Sequence, residues 1–175
     1  MSSSDLIWWG GLAAMLGGVA LVLEAVVFAI NLGVTLQDAL LLIGYFLAAV
    51  GLVGFHTLQK GNYGRIGRGG FYTAIVGSVA AVLATAVLLV GDAGLDWLHG
   101  VGFLVLIVGY ILYGAATLQA RVLPRWCGVA FIVVGPLGLL AGEYTVVVFG
   151  LVWLALGYVL WSQSGQAAQS PSCVN

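Results

Sequence analysis

The chain has 175 residues, of which 62% are hydrophobic and only 6% are charged, and its formal net charge is -1. Soluble domains carry about 25% charged residues, so this composition excludes a soluble enzyme and a disordered chain. Only five residues are Lys or Arg, too few for the basic stripe that nucleic-acid binding requires, so no nucleic-acid partner is expected. The composition instead predicts an integral membrane protein that has the lipid bilayer as its main partner.

Six apolar stretches are long enough to cross a membrane as helices, since a span needs about 20 residues to cover about 30 Å of hydrocarbon. In chain order they are Leu6 to Ile30, Ala39 to Leu58, Gly70 to Val90, Leu98 to Leu118, Pro124 to Gly142 and Tyr144 to Ser162. We therefore predict an all-α, polytopic bundle of six transmembrane helices that forms a single domain over residues 1–164. Residues 165–175 are polar and predict a disordered cytoplasmic tail.

The positive charges indicate how the chain is threaded. Lys60, Arg65 and Arg68 follow the second predicted span, and Arg121 and Arg125 follow the fourth. Six alternating spans place all five on one side of the membrane, and Lys and Arg prefer short cytoplasmic loops. The pattern predicts that both termini are cytoplasmic, and it favours a bacterial or archaeal cytoplasmic membrane.

Every predicted span contains two glycines seven residues apart, which places both on one helical face. Their surroundings also match among the odd spans and among the even spans, so we predict three copies of one helical hairpin. Helices in lipid associate through small residues that let the backbones approach closely, which predicts these glycines as helix-packing positions. The pairs are Gly10 and Gly17, Gly44 and Gly51, Gly70 and Gly77, Gly102 and Gly109, Gly128 and Gly135, and Gly150 and Gly157.

Glu24 is the only carboxylate well inside a predicted span. Ionising a lone acid in the membrane is costly, so its neutral form is expected to be favoured. On the helix it shares a small-residue face with Gly17 and Ala20, and roughly with Asn31, and this face should point into the bundle. We interpret Glu24, together with Asn31, as a candidate proton, cation or ligand site. The alternative is a protonated side chain hydrogen-bonded inside the bundle.

Aromatic residues on the fourth and sixth spans form a second candidate site. Tyr110, Tyr113, Trp153 and Tyr158 lie near the glycines of these spans, where aromatic faces beside gaps suit a flat apolar ligand such as a carotenoid, a quinone or a sterol-like molecule. The alternative is that these side chains fill the bundle or face lipid.

No metal site or catalytic constellation is predicted. His56 and His99 are expected at opposite membrane boundaries, so they cannot share a metal or a haem within one subunit. Pro136 is expected to kink the fifth span. Ser78, the main buried serine, has no histidine near it on its own helix, and the sequence contains no H-E-x-x-H motif and no C-x-x-C pair.

These observations lead to two hypotheses of different kinds. The first is a protein without catalytic activity that serves as an accessory or structural subunit or binds a lipid-like or other hydrophobic small molecule. The second is a small proton- or cation-linked transporter that uses Glu24. The sequence identifies no cofactor, and it leaves open a membrane-protein partner or a homo-oligomer.

Overall fold

The computed structural model describes residues 3–90 and 96–167, and these ranges form six α-helices. The prediction of an all-helical, six-helix bundle is confirmed. The helices are α1 (Ser3–Ala29), α2 (Val34–Gln59), α3 (Arg65–Leu89), α4 (Asp96–Ala120), α5 (Arg125–Ala141) and α6 (Thr145–Ala167), with a 3-10 turn at Gly142–Tyr144 before α6. The first residues of the predicted tail belong to α6, and residues 168–175 lie outside the described residues.

Within the described residues, five helices are long and apolar enough to cross a membrane, and α5 is the shorter one. Its 17 residues correspond to about 25 Å at 1.5 Å per residue. It lies along α4 from the level of Leu118, opposite Gly128, to that of Phe103, opposite Gly138. The helix continues through Pro136, so this proline does not divide α5 into two helices.

The six helices form a closed ring in chain order. Helix α1 packs extensively against α2 and α6, and α4 packs extensively against α3 and α5, whereas the α2–α3 and α5–α6 interfaces are smaller. The bundle therefore consists of two groups of three helices, one centred on α1 and one centred on α4. Two of the three predicted hairpins are closely packed pairs, while α5 and α6 each pack mainly against another helix.

The twelve glycines of the predicted pairs lie where neighbouring helices approach each other. A methyl group at eleven of them would lie less than 3.0 Å from an atom of another helix, closer than real Cβ contacts allow, and at Gly17 it would lie 3.0 Å from the Ala48 nitrogen. At Gly10 it would lie 2.6 Å from Gly54 Cα, and at Gly70 it would lie 2.6 Å from the Tyr113 nitrogen. Helix α1 has another close approach at Gly18, the residue after Gly17. A methyl at Gly18 would lie 2.6 Å from the Gly150 oxygen on α6. Helix α1 thus approaches α2 with one face and α6 with another.

Aromatic side chains fill the middle of the ring. Phe131 of α5 is fully buried, and its ring centroid lies 5.4 Å from Phe55 of α2, 5.4 Å from Tyr113 of α4 and 6.0 Å from Trp153 of α6. The ring planes of all three pairs meet edge to face, which is one of the favourable arrangements of aromatic pairs. The short helix α5 therefore supplies the side chain on which three other helices converge.

Candidate functional site

A carboxyl cluster lies where α1 and α2 meet near their connecting turn. Glu24 of α1 is only 4% exposed, and the Gln37 amide of α2 donates a hydrogen bond to its carboxyl group. Asp38 and Tyr45 also lie close to this carboxyl. The cluster follows from the hairpin, because Glu24 and Gln37 stand at nearly equal distances along the chain from the turn and antiparallel helices place such residues at the same level.

Asn31, the other residue of the predicted proton or cation site, lies in the turn itself. It is exposed, its φ of 59° is in the left-handed region that Asn tolerates, and its backbone N–H donates to the Phe28 carbonyl over 3.1 Å. Asn31 thus lies in the turn that follows the end of α1. Gln37 is the residue that reaches the buried Glu24 carboxyl.

The aromatic residues of the second predicted site do not form one face. Tyr110, Tyr113 and Trp153 are at most 2% exposed, whereas Tyr158 is 61% exposed on the outside of the bundle. The three buried rings surround Phe131, and the centroids of Tyr110 and Trp153 lie 6.0 Å apart. In this arrangement the rings contact one another and fill the interior.

The buried tyrosines of α4 also make polar contacts with side chains of other helices. Ser78 and Trp153 are hydrogen-bonding neighbours of the Tyr110 hydroxyl, and the Gln59 amide nitrogen donates to the Tyr113 hydroxyl over 3.3 Å. Gln59 is completely buried, and its Oε1 has no hydrogen-bond partner among the described residues. Buried polar groups are normally satisfied, so this amide marks an unusual position at the end of α2.

A histidine cluster, made of His56, Tyr63 and Phe71, lies at the end of the bundle that carries the α2–α3 loop. The His56 ring stacks on Phe71 of α3 with centroids 3.9 Å apart, and the Tyr63 hydroxyl is hydrogen-bonded to His56 Nδ1. Burial raises the pKa of the Tyr63 phenol to about 12 despite the nearby Arg68. The phenol is therefore protonated at neutral pH.

His99 belongs to a different part of the molecule from His56. Its ring lies 6.2 Å from that of Tyr45, which is part of the carboxyl cluster. Within residues 3–90 and 96–167, no three His, Cys, Asp or Glu side chains are placed to share a metal ion.

An apolar groove runs between α2 and α3 on the outside of the ring. This α2–α3 groove has a volume of about 300 Å³ and is lined chiefly by Phe46, Val50 and Val53 of α2 and by Ile75, Val79 and Leu83 of α3. Most of these side chains are exposed, and Val79 is 50% exposed. A second apolar cavity, of about 520 Å³, lies between α1 and α6 and includes Val22, Phe28 and Tyr144.

Sequence reasoning did not single out Gln37, Gln59 or Tyr63. The hairpin register about the α1–α2 turn was a signal for Gln37, because it sets the residues opposite Glu24. No comparable signal exists for Tyr63, which lies in a loop and reaches His56 only through the fold of that loop. The groove also had no signal in the sequence, because aliphatic residues line both grooves and tight interfaces.

The chain matches no protein-family model, no curated protein and no solved structure.

Proposed function

We propose that this multi-pass membrane protein has no catalytic activity and binds a lipid-like hydrophobic molecule in the α2–α3 groove. The observation that carries the proposal is the groove itself, an apolar channel of about 300 Å³ that opens toward the surface of the bundle. Ligand sites are typically concave and mostly apolar, and an alkyl chain matches these side chains in shape and polarity.

The groove follows from the directions in which the glycines face. Gly44 and Gly54 of α2 lie against α1, and Gly70 and Gly77 of α3 lie against α4. The surfaces of α2 and α3 that face each other instead carry aliphatic side chains, which hold the two helix backbones apart. An unfilled gap loses dispersion contacts on both walls, and a bound alkyl chain restores them.

Filling the groove should displace the ligand. We expect Val79→Trp to abolish co-purification of a lipid-like molecule in mild detergent, because the indole occupies the space between α2 and α3. The matched control is Val76→Trp, since Val76 is 62% exposed on the same helix and is not part of the groove. Mass spectrometry of the extracted lipid measures the outcome, and equal lipid retention in the two variants would contradict the proposal.

A second function, a proton- or cation-linked carrier, is favoured by the carboxyl cluster. Glu24 is buried beside Gln37 and Tyr45, and intramembrane acids commonly mark proton or ion pathways. In this role Glu24 would take up and release the proton or cation, while Gln37 would hold the carboxyl in position.

Proteoliposomes test this second function. With an imposed membrane potential and a pH-sensitive dye inside the vesicles, wild-type protein should carry protons faster than protein-free vesicles, and Glu24→Gln should remove the difference. The control is Asp38→Asn, a change at the less buried acid of the cluster, which should retain flux. Wild-type flux equal to that of empty vesicles would exclude the carrier function.

We further infer that the paired glycines are helix-packing positions and that the ends carrying Lys60, Arg68 and Arg121 face the cytoplasm together with both termini. The close approaches at the glycines support the first inference. The preference of Lys and Arg for short cytoplasmic loops supports the second.

A further inference from the structure

We propose that the α2–α3 interface binds an anionic phospholipid, with one acyl chain in the α2–α3 groove and the phosphate beside the loop between these helices. This inference rests on the proposed binding function and adds the chemical class of the ligand. It follows from the position of the groove relative to the basic residues at its end.

The loop and the first turn of α3 concentrate positive charge. Lys60, Arg65 and Arg68 fall within residues 60–68, a segment without an acidic residue, and they are three of the five Lys and Arg residues of the chain. All three are exposed. We name this segment the basic loop. Basic residues beside a membrane attract anionic headgroups, and arginine in particular pairs well with phosphate.

On both helices, the distance from the groove to the basic loop matches the distance from a lipid's acyl chain to its headgroup. Lys60 is seven residues beyond Val53 on α2, and Arg68 is seven residues before Ile75 on α3. Each separation corresponds to about 10 Å along a helix axis. A chain lying in the groove therefore leads directly toward both cations.

The side chains at this end converge on the α2–α3 interface. Lys60 and Arg68 both lie near the His56 imidazole, and His56 of α2 stacks on Phe71 of α3. The His56 ring is also held at this end by the hydrogen bond between its Nδ1 and the Tyr63 hydroxyl. The site thus places two cations beside this imidazole, and cations match phosphate oxygens.

The other basic segment of the described residues lies beside a tight helix interface. Arg125 begins α5, and close to it α4 and α5 meet where a methyl at Gly114 would lie 2.6 Å from the Gly128 oxygen. Both segments carry positive charge, and within the described residues the α2–α3 interface joins this charge to an apolar groove. Arg125 provides a matched control for this reason.

The test uses the full chain in nanodiscs made of equal amounts of phosphatidylglycerol and phosphatidylcholine. After transfer to mild detergent, mass spectrometry measures the ratio of the two lipids retained by wild type, Arg68→Gln, Lys60→Gln and Arg125→Gln. We expect wild type and Arg125→Gln to retain phosphatidylglycerol preferentially. Loss of one positive charge of the protein should lower that preference about fivefold in Arg68→Gln and in Lys60→Gln.

The outcomes separate this inference from the proposed function. One outcome is that Val79→Trp removes the retained lipid while Arg68→Gln and Lys60→Gln leave the lipid ratio unchanged. In that case the groove binds a hydrophobic ligand, and the inference that the ligand has an anionic headgroup is overturned. If Val79→Trp leaves the retained lipid unchanged, both proposals fail. Two chains cross-linked across cysteines placed at Val50 and Val79 would also overturn the inference, because a second copy then occupies the groove.

Discussion

In the first two hairpins, α1 with α2 and α3 with α4, the paired helices approach closely at their glycines, whereas α5 and α6 of the third hairpin have only a small interface. The third hairpin has the same glycine spacing. Its glycines face elsewhere, since Gly128 lies against α4 and Gly150 lies against α1. The comparison teaches that a short connection and a repeated glycine pattern do not decide which helices pack together.

The aromatic core explains why the third hairpin is open. Phe131 stands between α5 and three other helices, with Trp153 of α6 among its neighbours. Two such large side chains keep α5 and α6 apart, while α6 uses its glycines to approach α1. The small residues of α5 are left to approach α4, and the ring closes through side chains rather than through backbone contact.

The largest expected effect comes from removing the side chain at the centre of this arrangement. Phe131→Ala should lower the free energy of unfolding by about 3 kcal/mol, because a fully buried ring leaves a cavity that its neighbours cannot fill. Tyr158→Ala is the control, since Tyr158 is 61% exposed. Unfolding in mixed detergent micelles, followed by circular dichroism, measures both. Equal losses in the two variants would show that Phe131 does not hold the third hairpin in place.

The next effect tests the backbone approach in the second hairpin. Gly109→Ala should destabilise the bundle by about 2 kcal/mol, because the added methyl meets the Ala74 backbone, which cannot rotate away. Gly100→Ala on the same helix is the matched control, since nothing lies within 4 Å of its added methyl. The same unfolding experiment applies. If both substitutions leave stability unchanged, the glycine positions do not determine the packing of α3 against α4.

The smallest effect concerns the polar contact that links α5 to α6. The Thr145 hydroxyl lies within hydrogen-bond distance of the Gly138 and Gly142 carbonyls, which are near the end of α5 where carbonyls lack helical partners. Thr145→Val should cost about 1 kcal/mol. Thr57→Val, which removes a hydroxyl bonded within α2, should cost less. The reverse order would indicate that the link contributes nothing to the third hairpin.

Much of the architecture was predictable because hydropathy and helical period are local properties. The six apolar stretches predicted six helices, and the predicted ends lie within about five residues of the observed ones. The fifth stretch is the exception. Its helix, α5, ends at Ala141 and is too short to count among the long apolar helices. The burial of Glu24 was also expected, since it shares a face with small residues.

Other features depended on distant parts of the chain. The sequence suggested a ligand face at Tyr110, Tyr113 and Trp153, but it contained no sign that Phe131 comes between them from another helix. The tyrosines thus pack inside the ring. In the same way, Gln59 meets Tyr113 only after α2 and α4 assemble, and Tyr63 meets His56 only through the fold of the α2–α3 loop.

The sequence by itself determined that the chain forms apolar helices with short turns, that glycines mark one face of each helix and that positive charge gathers beside two of the turns. Composition and residue spacing suffice for these properties because each is decided within one helix or one loop. The tertiary structure decided which neighbour each glycine approaches, where the ring closes through aromatic side chains and where the α2–α3 groove opens. Those outcomes depend on how side-chain volumes from different helices fit together, and no single segment contains that information.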